Sequence, residues 1–301
     1  MISRRGFALA STIALMIVWG CTFVVTKAAV RDIPPITLAF LRFFIAACVL
    51  VPIAAARGGL KQLPQPLPVG ALILMGLTGV AIFHVGFNYA LVYGSASEGA
   101  LIFALVPAAI AVAAVVGLKE RPSKRRIAGI LLSVSGVALV VATGEGGSAS
   151  PRPLLGALCM VGAVVAWAGY TVIAKRLAGA DQVVVIACVS VIGMAILLPV
   201  AGLELWRAPW PRPSLQAWLG ALFLGVVASA IAFVVYSRVL RELDASLVGA
   251  YLNLDPIVGV LTAVLFLGEA LGSWQMVGGV IALAGMWLAS AEESSVSERT
   301  A

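Results

Sequence analysis

Gly76–Leu139, GLTGVAIFHVGFNYALVYGSASEGALIFALVPAAIAVAAVVGLKERPSKRRIAGILLSVSGVAL, is used twice in this chain. Advanced by 149 positions without a gap, Gly76 falls on Gly225, Ala96-Ser97 on Ala245-Ser246, Leu105 on Leu254 and Pro107 on Pro256. Glu120 then falls on Glu269, Gly129 on Gly278, Gly136 on Gly285 and Leu139 on Leu288. Earlier segments join the repeat at slightly smaller shifts. Trp19 and Lys27 match Trp167 and Lys175 at 148, and Pro52 matches Pro199 at 147, a slippage that changes in loop length between helices produce. The period is far above the roughly 20–50 residues of a solenoid, so it describes two pseudo-symmetric halves of one body.

The 301 residues are 62% hydrophobic and 11% charged, against about 25% charged in a soluble domain. That is a membrane composition. Apolar runs recur between short polar breaks, long enough to cross about 30 Å of hydrocarbon at about 1.5 Å per residue. Ten spans are expected, at about 7–29, 35–56, 68–91, 97–118, 127–143, 154–175, 182–202, 215–237, 246–267 and 272–290. The expected division is a first five-helix repeat over 1–143, a linker over 144–153, a second repeat over 154–290, and a disordered cytoplasmic tail over 291–301.

The net charge of +7 is a topology signal rather than a nucleic-acid signal. Lys and Arg collect in alternate breaks, at Arg4-Arg5, Arg57 and Lys61, Lys119 to Arg126, Lys175-Arg176, and Arg238 with Arg241. By the positive-inside rule these breaks are cytoplasmic, which places both termini inside. Five spans per half make the second half enter the membrane upside down, an inverted-topology repeat. Ser3-Arg4-Arg5-Gly6-Phe7 before an apolar run resembles a twin-arginine export signal. The length of that run and its match to the later half identify it as the first span instead. Cys21, Cys48, Cys159 and Cys188 lie inside spans without CxxC spacing and read as packing residues. Neither a metal nor a cofactor is expected.

Candidate site residues follow from face and depth. Trp19, Thr22, Phe23 and Thr26 share one face of the first span, and Trp167, Tyr170 and Thr171 repeat it in the sixth. Tryptophan deep in a span, away from the interfacial belt, points to a cavity or to interhelix packing. The single histidine, His84, shares a face with Asn88; the pair reads as a substrate hydrogen-bond partner or an internally bonded couple ahead of a proton carrier. Phe233 and Tyr236 occupy the matching part of the eighth span.

Pro107 and Pro256 fall about ten residues into their spans, near the midplane, where matched helix interruptions mark a transporter's substrate site. Asp255 stands beside Pro256 with Tyr251 four residues earlier, and the position paired with it is Val106. A carboxyl at that depth serves proton coupling, recognises an amine, or is kept neutral or paired. Pro52 and Pro199 sit in matching places where kinks would displace helix ends. Arg42 and Lys27 are near enough to an interface to snorkel, although charge inside a span points to function. Small residues in the fifth and tenth spans allow close helix approach, within one chain or in a homodimer.

Taken together, these features resemble the EamA family of the drug/metabolite transporter superfamily. They are Trp-containing first helices ending in Lys, Leu41-Arg42-Phe43, Pro-containing fourth helices, the Leu118-Lys119-Glu120 and Leu267-Gly268-Glu269 steps, and Gly-rich fifth helices. The resemblance covers roughly residues 10–290 and implies an all-α, ten-helix basket around a central cavity. It implies frequent roles in exporting amino acids and related metabolites, and a capping or loop role for Glu120 and Glu269. The expectation is therefore an inner-membrane secondary transporter, not an enzyme, whose partners are a small-molecule substrate and the bilayer. Trp19, Thr22, Trp167, Tyr170, Tyr236 and Tyr251 would wall the site, His84, Asn88 and Asp255 would orient polar groups, and Pro107, Pro256, Pro52 and Pro199 would hinge it. The rival readings are a multidrug or lipophilic-cation exporter, for which Asp255 would have to act as the acid, and an integral-membrane lipid-modifying enzyme. The latter lacks a DxxD spacing and a second His.

Overall fold

The computed structural model describes residues 4–118, 123–143, 152–207, 212–242, 251 and 253–290, and these are helical with no strand among them. Glu120, most of the 144–153 linker and the 291–301 tail lie outside the described residues. In chain order the helices are α1 (Arg4–Ala29), α2 (Pro35–Ala56), α3 (Val69–Tyr93), α4 (Ala96–Phe103), α5 (Val106–Leu118) and α6 (Lys124–Thr143). They continue with α7 (Pro153–Lys175), α8 (Gln182–Arg207), α9 (Leu215–Leu222 running on to Glu242), α10 (Leu254–Leu267) and α11 (Ser273–Ser290). Among the described residues eight helical stretches are long and apolar enough to cross a membrane, one of them the interrupted Ala96–Ala113 that takes in α4 and part of α5, and Leu254–Leu267 and Ser273–Ala289 are shorter apolar helices.

Local chemistry sets the helix ends. Pro35 opens α2 at a position where a missing N–H is harmless. Ser95 and Glu98 form a capping box at the start of α4, and Ser214 caps α9. Gly268 ends α10 in the left-handed conformation, φ 65°, open to a residue without Cβ. Helix α8 runs five residues beyond the expected end at 202, because Glu204 still faces protein.

Two antiparallel pairs join the halves. Along α2 and α8, Arg57 pairs with Asp181 at one end, with Nη2 2.7 Å from Oδ2. At the other end the N–H and hydroxyl of Thr37 both donate to Glu204 Oε2, at 2.7 and 2.8 Å. Along α6 and α11, Gly129 meets Ala289, Ser133 meets Gly285, Gly136 meets Ala282, and Val140 meets Gly278. A Cβ built on Gly136 would stand 2.3 Å from the Ala282 nitrogen, so the backbones touch through glycine.

Within α3 and α9 the helix widens to π geometry, over Gly76–Ile82 and Phe223–Ile231. Each widened segment packs on the second helix of the other half, Gly76 against Ile192 and Gly225 against Ile45. Under the 149 and 147 shifts these two contacts are images of one another.

Candidate functional site

A helix interruption precedes each of the paired prolines, Pro107 and Pro256. Helix α4 ends at Phe103, Ala104-Leu105 form a turn with bonds back to Leu101 and Ile102, and α5 starts at Val106 with Pro107 in its first turn. In the second half Tyr251 is helical, Asn253 is in a turn, and α10 starts at Leu254 with Asp255 and Pro256 in its first turn. The break separates Tyr251 from Asp255, which therefore do not share one uninterrupted helix face. Pro52 and Pro199, by contrast, lie exposed on the outer faces of unbroken α2 and α8.

Around these breaks lie two aromatic groups. Trp19 is half-buried, with its ring centroid 5.5 Å from that of Tyr236 and 6.1 Å from that of Phe233. Its Nε1–H donates to the Ala228 carbonyl at 3.1 Å, inside the second π segment. Tyr251 and Leu254 pack into the same cluster. On the other side Trp167 stacks on Tyr170 at 4.9 Å and tilts against Phe83 at 5.0 Å. Phe83 continues to Phe87 and Phe103, and these to Phe23. Tyr170 and Phe233 pack on one apolar cluster, which bridges the two groups. Gly79 makes room for Tyr170: a Cβ there would lie 2.3 Å from the ring. Because Gly79 is the repeat image of Ala228, each half's first helix places an aromatic residue on the other half's π segment.

The polar candidates fall into two kinds. Thr22 donates to the Trp19 carbonyl at 2.6 Å, Thr171 to the Trp167 carbonyl at 2.9 Å, and Asn88 to the Pro35 carbonyl at 2.8 Å. His84 Nδ1 sits 3.2 Å from the Val80 carbonyl, with Phe43 and Phe83 edge-on at 4.6 Å. These four are satisfied internally by backbone. Asp255 is not: it is 8% exposed, and its Oδ1 has no hydrogen-bond partner among the described residues. Its backbone carbonyl abuts Gly20, where a Cβ would approach to 3.0 Å, so Asp255 stands one residue along α1 from Trp19.

Two further charged residues act at helix ends. Lys27 Nζ donates to the Leu91 and Gly94 carbonyls at 2.6 Å each, holding the end of α3 where cations complement the helix dipole. Glu269 accepts from the Ala96 and Ser97 N–H groups at 2.9 and 2.8 Å and so caps α4, the role implied for it by resemblance. Sequence reading left Phe83, Phe103 and Phe233 out of the site. The i, i+4 spacing of Phe83 and Phe87 was the available signal. Among the described residues no three of His, Cys, Asp and Glu converge as metal ligands.

Apolar membrane-length helices broken at matched prolines around a half-buried aromatic lining define a multi-pass membrane transporter. Residues 6–142 and 154–291 each match the EamA-like transporter family, and the chain belongs to that family. It is 28% identical over 284 residues to an uncharacterized transporter of Archaeoglobus fulgidus, covering 92% of this chain and 95% of that one. It is 26% identical to the uncharacterized inner membrane transporter YedA of Escherichia coli K12, covering 89% and 86%. With the uncharacterized transporter YetK of Bacillus subtilis the identity is 26%, over 89% of this chain and 82% of the other. A protein of known crystal structure shares the fold, with a TM-score of 0.66, 23% identity, and coverage of 95% of this chain and 97% of that one.

Proposed function

We propose that the chain is a secondary transporter of the inner membrane that exports small amphipathic metabolites, amino acids foremost, by alternating access. In this reading ten spans form two inverted-topology repeats with both termini cytoplasmic. The antiparallel α2–α8 and α6–α11 contacts, each matching its own repeat image, support the inversion. That the Escherichia coli relative is named an inner membrane transporter supports this location.

The observation that carries the reading is the pair of mirrored helix interruptions, at Ala104-Leu105 and Asn253, set against half-buried Trp19, Tyr236, Trp167 and Tyr170. A substrate with an apolar side chain stacks on such rings, and its ammonium group finds the unpartnered Asp255 oxygen. That oxygen also favours a second reading, a lipophilic-cation exporter. Counterflow of radiolabelled amino acids into proteoliposomes separates the two. Trans-stimulated uptake that falls in Trp167→Ala and Asp255→Asn supports amino-acid export. Exchange of lipophilic cations with no amino acid exchanged replaces it with the second reading.

A further inference from the structure

We infer that Arg42 is a binding residue for the anionic group of the transported metabolite, a carboxylate or a comparable oxyanion. The inference deepens the transport reading and rests on it. Arg42 lies seven residues into α2 from Pro35, about 10 Å of helix rise, and is only 8% exposed. It does not reach outward along the helix to an interface. Its Nε donates instead to Ser229 Oγ at 2.8 Å, and Ser229 is itself buried in the second π segment.

A guanidinium has five N–H donors in a planar fork that suits a two-oxygen anion. Here one donor is used: among the described residues the two Nη groups carry no hydrogen bond, and no carboxylate pairs with them. Near it, His84 lies within electrostatic reach and the Phe43 ring is 6.0 Å away. Neither supplies a negative charge. A buried charge without a counter-ion is costly and persists where something outside the fold completes it.

The repeat provides an internal control. The image of Arg42 is Val189 and the image of Ser229 is Val80, and both valines are buried in one apolar cluster. The architecture is therefore built at the mirrored place without any polar group. The charge at Arg42 serves something other than folding, and an asymmetric substrate between pseudo-symmetric halves is what distinguishes the two places. Ser229 follows Ala228, the acceptor of Trp19, so the guanidinium adjoins the aromatic lining.

The test compares L-phenylalanine with L-phenylalaninamide, which share ring and ammonium and differ in the carboxylate. Binding to the purified full chain is read by thermal shift, and exchange by proteoliposome counterflow. Arg42→Gln is expected to weaken phenylalanine by ~10-fold or more and leave the amide unchanged, with Arg42→Lys in between. Equal loss for both probes, or loss for neither, overturns the inference. Should Arg42→Gln fail to fold, Ser229→Ala keeps the charge and frees Nε; it is expected to weaken phenylalanine ~3-fold or more, and an unchanged value overturns the inference. If the wild type binds neither probe, the amino-acid reading fails separately. Hydrocinnamate, benzenesulfonate and inorganic phosphate then decide. An anion that stabilises the wild type but not the variant sustains Arg42 as the site, and no stabilisation by any of them overturns it.

Discussion

The Trp19 indole N–H donates to the Ala228 carbonyl across 209 residues of sequence, at 3.1 Å. It ties α1 to the π segment of α9, where a widened turn leaves a carbonyl able to accept from outside the helix. Trp19→Phe keeps a ring and removes the donor, so a loss of about 1 kcal/mol is expected, near the value of one neutral hydrogen bond. Trp19→Ala also removes the contacts with Tyr236 and Phe233 and is expected to lose about 3–5 kcal/mol. Unfolding of the purified protein in detergent reads both, and equal effects of the two substitutions would remove the bond from the account.

The glycines of the α6–α11 seam leave no room for a Cβ. Gly136→Ala and Gly285→Ala place a methyl group within 2.3 and 2.2 Å of partner backbone nitrogens, and each is expected to destabilise by about 1–3 kcal/mol. Gly162→Ala is the matched control, with nothing within 4 Å of the added carbon. It is expected to be neutral or to stabilise by up to about 1 kcal/mol through helix propensity. Apparent melting temperatures of the three variants should separate accordingly.

Lys27 and Glu269 secure neighbouring helix ends, the first α3 and the second α4, and they attract each other. Glu269→Gln and Lys27→Met are each expected to cost about 1–2 kcal/mol. The double variant is expected to depart from additivity by about 0.5 kcal/mol or more, as for groups in one network. Strict additivity in a double-mutant cycle would show that the two caps act separately.

Acid should loosen the α2–α8 pair. Burial works to raise the Asp181 carboxyl, but the Arg57 guanidinium and the N–H groups of Val183 and Val184 outweigh it and hold the carboxyl below its ordinary value. A carboxyl depressed in the folded state contributes stability that is present above the unfolded value, about 3.9, and is lost as pH falls below it. The pair is partly solvated, so its contribution is about 0.2–1 kcal/mol. Stability measured from pH 7 to pH 3 should fall less steeply in Asp181→Asn than in the wild type.

Helix positions were legible where proline or a charge break marked them. The bounds of α2 agree with the span expected at 35–56, and α7 begins one residue from its expected start. The span expected at 97–118 is two helices, because proline clashes with the carbonyl four residues back, and the break falls at Ala104-Leu105 ahead of Pro107. Depth and helical face singled out Trp19, Tyr236, Trp167 and Tyr170, and the fold sets them in ring contact as two pairs. The π segments left no trace in composition, since Gly76–Ile82 and Phe223–Ile231 read as ordinary apolar helix. The Arg42–Ser229 bond spans 187 residues and depends on how one half docks on the other. Sequence period and face cannot carry that information.

The carboxylate that completes the start of α4 belongs to a residue made much later. Ala96 and Glu269 are separated by 173 positions, and Thr37 waits through 167 for Glu204. Until the later helices are in place, the N–H groups of Thr37, Ala96 and Ser97 lack these acceptors. The starts of α2 and α4 are therefore completed only by the docking of the second half on the first.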